Sequence, residues 1–189
     1  YKEINNIHNI KEIKESLLEY EGLAKLINAK VVSADQQVHR DILDEYLKNT
    51  VAIIGTNNTA KNTLFSSGVF KLKQGRHLEQ NDRKKIMIHE VFAQKNNLKI
   101  GDKVEIDLIN TSDIKTETQK TKFEIIGIFS GKKQEKYTGL SSDFSENTIF
   151  SNFKTTMQSL NLPESESLLS KVTLYTESAD QLEKAVAKT

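Results

Sequence analysis

The chain has 189 residues, of which 37% are hydrophobic and 28% charged, and its formal net charge is +1 at pH 7. This composition is typical of one or two small folded domains. The near-neutral charge argues against a nucleic-acid-binding protein, since such proteins carry a basic stripe. The absence of cysteine excludes disulfides, thiolate metal sites and a cysteine nucleophile.

The first segment has helical spacing, because apolar residues recur every three or four positions between residues 9 and 28. These residues are Ile10, Ile13, Leu17, Tyr20, Ala24 and Ile27. The pattern predicts an amphipathic helix that packs on a sheet, with a coiled-coil seam as the minor alternative. A short strand is predicted at Ala29–Ala34 and a buried strand at Val51–Thr56, whereas residues 35–49 are ambiguous, with a helix favoured.

After Ser66 the pattern changes to short apolar runs broken by glycine, and six of the chain's eight glycines lie here. This clustering predicts a compact β-rich unit with tight turns. Strict alternation of apolar and charged residues predicts a half-buried strand at Lys103–Ile109. The other predicted elements of the unit are strands at Ile86–Ile88 and Phe123–Phe129 and a helix at His89–Asn97.

The stretch Ser130–Asn147 is polar and is predicted to be an exposed loop. Its candidate contact residues are Lys132, Lys133, Lys136, Tyr137 and Phe144, since lysines beside aromatic rings suit an acidic or amphipathic partner. A solvated loop without a role is the alternative. The elements predicted after it are a strand at Thr148–Phe150, a helix at Ser151–Leu160, a strand at Lys171–Thr176 and a helix that begins at Ser178.

The order of these elements indicates an α+β fold with a discontinuous outer domain. Residues 1–55 and 147–189 are predicted to form this frame, and residues 56–146 a small β-rich α/β unit inserted into it. A linear division into two domains is the alternative.

Nothing in the sequence predicts catalysis. The four histidines, His8, His39, His77 and His89, form no HExxH or HxH pattern, and no phosphate-binding or nucleophile-elbow motif is present. His39 lies among acidic residues, which is more typical of a solvated face than of a metal site. We therefore expect no catalytic, metal-binding or cofactor-binding residues.

The run from Gly68 to Phe129 carries the most specific signal. Its segments GRHLEQND, IMIHEVFAQKNNLKIGDKVEI and FEIIGI resemble the extracytoplasmic core domain of MacB-like and FtsX-like ABC transporter permeases. The resemblance covers Gly55–Gly131 closely and the flanks more loosely. It marks five positions as structural elements of the family motif: Gly75, Arg76, Gly101, Asp102 and Gly127.

The resemblance implies a porter-like α/β subdomain that holds the inserted unit, placed outside the membrane between the first two membrane helices of a permease. It implies a partner permease subunit, a separate cytoplasmic ATPase, and substrates such as peptides, toxins, antibiotics or lipoproteins. Membrane helices are then expected within a few tens of residues of both ends. The alternatives are a double-psi-like β-barrel that binds a ligand or catalyses a reaction, and an adhesion or assembly domain.

Overall fold

The structure is a computed structural model that describes residues 10–32, 47–110, 118–136, 138–162 and 168–187. Within these ranges it contains eight strands and four short α-helices, which confirms the predicted α+β class. The strands are β1 (Ile13–Leu26), β2 (Thr50–Thr56), β3 (Phe70–Gly75), β4 (Lys85–His89), β5 (Lys103–Ile109), β6 (Thr121–Gly131), β7 (Thr148–Asn152) and β8 (Lys171–Thr176). The helices are α1 (Thr63–Ser66), α2 (Glu90–Lys95), α3 (Phe153–Ser159) and α4 (Ala179–Val186).

Six of the strands close into a small β-barrel, which we call the ring. Their order is β1, β2, β7, β4, β6, β5 and back to β1. The pairs β2–β7 and β4–β6 are parallel, and the other four pairs are antiparallel. β3 extends the ring beside β6, and β8 extends it beside β1. The closed ring leaves β3 and β8 as the edge strands of the described sheet.

The interior of the ring is filled by apolar side chains that all six strands contribute from alternate positions. The buried cluster includes Leu18, Tyr20, Ala24 and Leu26 of β1, Val51 and Ile53 of β2, Ile86 and Ile88 of β4, Val104, Ile106 and Leu108 of β5, Phe123 and Ile125 of β6, and Ile149 of β7. Burial raises the pKa of the Tyr20 hydroxyl. The ring is thus a packed core.

A second apolar cluster covers the outside of the ring where β4, β6 and β7 meet. Phe65 of α1 lies 5.5 Å from Phe129 and 5.1 Å from Phe150, measured between ring centroids. Phe70 of β3 lies 4.8 Å from Phe129. These edge-on and tilted contacts fix α1 and β3 on the outer face.

The predicted N-terminal helix is wrong, because residues 13–26 form β1. The side chains that enter the core follow the period of two, and the helical set ends at Ile27, which is 42% exposed. β1 pairs with β2, β5 and β8, and these pairings override a local spacing that suits both periods.

The strand predicted at Ala29–Ala34 is also wrong over Ala29–Val32, and the rest of it lies outside the described residues. Three asparagine side chains hold this stretch instead. The amide oxygens of Asn96, Asn49 and Asn147 accept from the backbone N–H groups of Lys30, Val31 and Val32 at 2.8, 3.0 and 2.7 Å. We call this set the asparagine clasp, and it replaces the hydrogen bonds of a ladder.

The remaining predicted strands and helices are confirmed, each within two residues of the predicted bounds. The ambiguous stretch 35–49 lies outside the described residues up to residue 46. The frame of 1–55 and 147–189 and the insert of 56–146 stay a prediction, and hydrogen-bonded strand pairs such as β1–β5 and β4–β7 cross both boundaries.

Candidate functional site

In the stretch predicted to be a loop, Ser130 and Gly131 still belong to β6, and the rest divides into a more exposed part and a buried part. Residues 132–136 and 138–140 are irregular, whereas Ser141–Asp143 and Ser145–Asn147 form two single-turn 3-10 helices. Ser141, Ser145 and Asn147 are each 1% exposed or less. The predicted exposed loop is therefore correct for the first part and wrong for the second.

Polar contacts attach the buried part to the ring. The Ser141 hydroxyl donates to the Thr50 carbonyl at 2.6 Å. The Asn147 amide group donates to the Ser141 carbonyl at 2.7 Å and to the Val32 carbonyl at 3.0 Å. Buried serine and asparagine are tolerated here because each polar atom named has a partner.

Glu135 connects the exposed part to the buried part. Its carboxylate accepts from the backbone N–H of Ser145 at 2.7 Å and lies 3.5 Å from the Lys132 ammonium. Burial by itself raises the pKa of Glu135, but the hydrogen bonds from Ser145 and the charge of Lys132 outweigh it, so the pKa lies below its usual value. Residues 132–136 and 138–147 thus form a folded segment, which we call the strap, with charged side chains in its exposed part.

The structure separates the five candidate contact residues. Lys132 and Lys136 are exposed, Lys133 and Phe144 are half-buried, and Tyr137 lies outside the described residues. The lysines therefore lie on the exposed part, whereas Phe144 lies between the two 3-10 turns of the buried part.

Among the motif residues, Gly75 is the last residue of β3 and Arg76 follows it. Gly75 has a φ of 74°, and a Cβ there would overlap the Ile126 carbonyl oxygen, so the position suits only glycine. The Arg76 guanidinium pairs with both carboxylate oxygens of Asp82 at 2.5 and 2.6 Å. Because of this pairing, the pKa of Asp82 is lowered and that of Arg76 is raised.

The turn Gly101–Asp102 is fixed to β6. The Asp102 carboxylate accepts from the Lys99 N–H at 2.9 Å, and Gly101 N–H donates to the Ile125 carbonyl at 2.8 Å. A Cβ on Gly127 would lie 2.6 Å from the Arg76 carbonyl oxygen, so the backbone at Arg76 also approaches β6 closely. This geometry supports structural roles for the motif residues, and those roles are our proposal.

Asp82 is the residue to which sequence reasoning assigned no role. It stands in the segment GRHLEQND, six residues after Arg76, and it also accepts from the Glu79 N–H at 2.8 Å. An arginine and an aspartate that both belong to the family motif were the available signal for this pair.

The two described histidines have structural contacts. His77 Nδ1 lies 3.0 Å from the Thr59 hydroxyl, and burial lowers the His77 pKa. His89 Nδ1 accepts from Val91 N–H at the start of α2, so its Nε2 donates to the Gly131 carbonyl at 3.0 Å. Within the described ranges, no three His, Cys, Asp or Glu side chains are placed to hold a metal ion. His8 and His39 lie outside the described residues.

A sequence model of the MacB-like periplasmic core domain matches residues 6–189. The chain belongs to this family. The match extends through the flanks of the Gly68–Phe129 run as well as the run itself, so the resemblance seen in the motif is confirmed over almost the whole length. A search among curated proteins gave no match.

Two solved structures share the fold of this MacB-like domain. One is the extracellular domain of the noncanonical ABC-type transporter YknZ from Gram-positive bacteria, with 15% identity and a TM-score of 0.50, covering 97% of this chain and 76% of that one. The other is the periplasmic region of MacB from Actinobacillus actinomycetemcomitans, with 15% identity and a TM-score of 0.53, covering 98% of this chain and 69% of that one.

The described surface of the MacB-like domain includes two polar clefts. One, of about 400 Å³, is lined by Lys14, Asn57, Gln80, Asn152 and Lys154 among others, and the second, of about 480 Å³, lies between β3 and α2. The Asn57 and Asn152 amides already bond to backbone groups. In the part of the chain that the structure describes, no helix has the length and hydropathy of a membrane span.

Proposed function

We propose that this chain is the extracytoplasmic domain of an ABC transporter permease and that it is not itself an enzyme. The family match through residues 6–189 carries the proposal. The similar structures are described as an extracellular domain and a periplasmic region, both of transporters, which supports the same placement here.

The domain works through its surface and couples membrane helices to a partner permease subunit, while a separate cytoplasmic ATPase supplies the energy. Buried apolar side chains of the described strands fill the ring interior, which argues against a substrate site there. Substrates of the class that includes peptides, toxins, antibiotics and lipoproteins are handled on the outside of the ring.

The exposed part of the strap is the contact that we assign to such a substrate or partner. Lys132 and Lys136 project there, and the Glu135–Ser145 hydrogen bond fixes the segment that carries them. Two cations on an anchored segment favour an acidic or amphipathic partner.

The placement is tested by cysteine labelling, since the chain has no cysteine of its own. In the intact protein, Lys136→Cys is treated on whole cells with a membrane-impermeant maleimide. Labelling before permeabilisation is expected. The matched control is Leu78→Cys, whose position is 0% exposed and should react only after denaturation. Labelling of Lys136→Cys only in permeabilised cells would contradict the placement.

The contact is tested by the double variant Lys132→Ala/Lys136→Ala, which leaves Ser141, Ser145 and Asn147 in place. Transport, or resistance to the transported compound, should fall while the protein level in the membrane is unchanged. Lys71→Ala/Lys73→Ala removes two exposed lysines from β3 and is the control. Equal activity of both double variants would remove the strap from the proposal and leave the placement intact.

The double-psi-like barrel remains the second candidate because the sheet closes into a ring. A ligand-binding barrel would gain about 2.7 kcal/mol of unfolding free energy at a hundredfold excess of ligand over Kd. We expect no thermal shift with millimolar ATP, and a reproducible shift would favour the barrel module.

A further inference from the structure

The two edge strands of the described sheet differ in how they are protected. β3 pairs only with β6 among the described residues, and its register is interrupted between Leu72 and Gln74. Lys71 and Lys73 are exposed along it. Lysines and irregularities are the features with which proteins prevent another strand from pairing with an edge.

β8 has these features only at its ends: its one lysine, Lys171, is its first residue, and its register with β1 shifts between Ile13 and Glu15, which pair with Thr176 and Tyr175. In the described chain it pairs only with β1, and the residues between Lys171 and Glu177 are uncharged and half-buried. They are Val172, Thr173, Leu174, Tyr175 and Thr176, which all favour strands apart from Leu174. Between its ends, the edge of β8 that faces away from β1 therefore offers backbone donors and acceptors with no charged side chain among residues 172–176.

The sequence of this edge is complementary to itself. If two copies pair antiparallel about Leu174, Lys171 of each copy stands opposite Glu177 of the other, and Thr173 opposite Tyr175. Moving the centre to Thr173 or Tyr175 separates the opposite charges. Symmetric pairing therefore has one favoured register, which the charges select.

The end charges already have partners within their own copy, where the Lys171 ammonium donates to the Thr63 hydroxyl at 3.0 Å. The Lys171 ammonium lies 3.5 Å from the Glu19 carboxylate, and the Glu177 carboxylate lies 2.7 Å from the Lys14 ammonium. The side chains of Lys171 and Glu177 are still 50% and 59% exposed. Pairing would thus join two existing ion pairs into a row of alternating charges at each end of the new ladder.

We propose that β8 is the edge through which a second copy of this domain pairs, antiparallel and centred on Leu174. The contact is one short strand, so it is weak in dilute solution and forms where a membrane or a linked complex concentrates the copies. The proposal rests on the edge and its charges, and it needs the proposed function only for that concentration effect.

A cysteine at the two-fold axis tests the pairing. Residues directly opposite in an antiparallel pair have Cβ atoms about 4.5–5.5 Å apart, close to disulfide range. Leu174→Cys should form a disulfide-linked dimer under mild oxidation, both in the intact membrane protein and in the 189-residue chain at high concentration. Lys73→Cys on the protected edge should stay monomeric.

A second variant protects the test against local disruption. Thr173→Cys/Tyr175→Cys retains Leu174 and places each cysteine opposite the other residue of the second copy, so it should form a dimer as well. A folded Leu174→Cys chain and a folded double variant that both stay monomeric would overturn the proposal, as would equal cross-linking through Lys73→Cys.

The register is tested by charge. Glu177→Lys in the Leu174→Cys background places two lysines opposite each other and should reduce the dimer yield severalfold. Lys14→Ala removes the ion pair within the chain but retains the Lys171–Glu177 pair between copies, so it should leave the yield nearly unchanged. Equal yields in Glu177→Lys and Lys14→Ala would overturn the register. Failure of these cross-links is separate from failure of the labelling at Lys136→Cys.

Discussion

At the scale of single residues, side-chain amides in this domain take the place of strand neighbours. Besides accepting from Val31, the Asn49 amide donates to the Leu26 carbonyl at 3.1 Å and to the Ala29 carbonyl at 3.0 Å. Asn57 does the same beyond the end of β2, accepting from Leu18 N–H and donating to the Ser16 carbonyl. In a sequence, asparagine usually indicates a turn. The asparagine clasp, which joins distant parts of the chain, could therefore not be predicted from composition.

Asn49→Ala should lower the free energy of unfolding by about 2–4 kcal/mol, because three backbone groups lose their partner. Asn49 also has a φ of 59°, which alanine disfavours. Asn161→Ala is the control, since Asn161 has a φ of 56° and an exposed side chain. Urea unfolding of both variants isolates the amide contribution, and equal losses would show that backbone conformation alone matters.

The Arg76–Asp82 pair predicts a pH dependence. The folded pKa of Asp82 lies below its ordinary value, so its contribution is present above that value, near pH 3.9, and is lost as pH falls through the lowered folded value. Asp82→Asn should be less stable than the wild type at pH 6, and the difference should narrow below about pH 4. Thermal unfolding from pH 6 to pH 3 measures this. Arg76→Gln should remove the same dependence, and a gap that stays constant with pH would contradict the assignment.

At the scale of elements, β1 shows where sequence patterns fail. Leu17 and Leu18 are both buried, one on each face, because β1 is covered on both sides. A strand buried on both faces loses the simple alternation, and the remaining apolar residues happened to match the helical period. β5 and β8 match their predicted bounds because apolar and polar residues alternate up to Leu108 in β5 and up to Leu174 in β8.

Leu18 and Ile27 distinguish the strand from the helix that was predicted. Leu18 lies outside the helical set but is 8% exposed in the core, so Leu18→Ala should cost about 2–5 kcal/mol of unfolding free energy. Ile27 belongs to the helical set but is 42% exposed, so Ile27→Ala should cost about 0.5 kcal/mol or less. Denaturant unfolding measures both, and a larger loss at Ile27 would favour the helix.

At the scale of the whole molecule, the ring interleaves distant parts of the sequence. β1 and β2 come from the first third of the chain, and the strands that pair with them come from the middle and the end. The strap was harder to predict than the strands, because its buried residues are serines and an asparagine, which are residue types expected in solvent. The family motif could be recognised in the sequence because its glycines and turns depend on residues that are close together along the chain.

Because the ring passes through both the frame and the insert, we expect the described strands to unfold in one cooperative step. Hydrogen exchange followed by mass spectrometry should show β1, β5 and β6 gaining deuterium together at a urea concentration near the midpoint. Excision of residues 56–146 should not give a folded piece, since β5 would lose β1. Earlier exchange of β5 and β6 as a separate unit would favour an independent insert.

The pairing of β1 with β8 also gives the domain a mechanical direction. Ile13 at the start of β1 stands opposite Thr176 at the end of β8, so the two strands leave the sheet at the same point. A force that pulls Ile13 and Thr176 apart acts along the hydrogen bonds between β1 and β8, because those bonds lie perpendicular to the strands. The bonds would then break one after another. A force that pulls Ile13 and Thr176 in the same direction would not be concentrated on any one of these bonds, and the ring would move as a whole. We therefore expect Ile13 and Thr176 to separate under a small force, whereas a force on both in the same direction leaves the β1–β8 pairing intact.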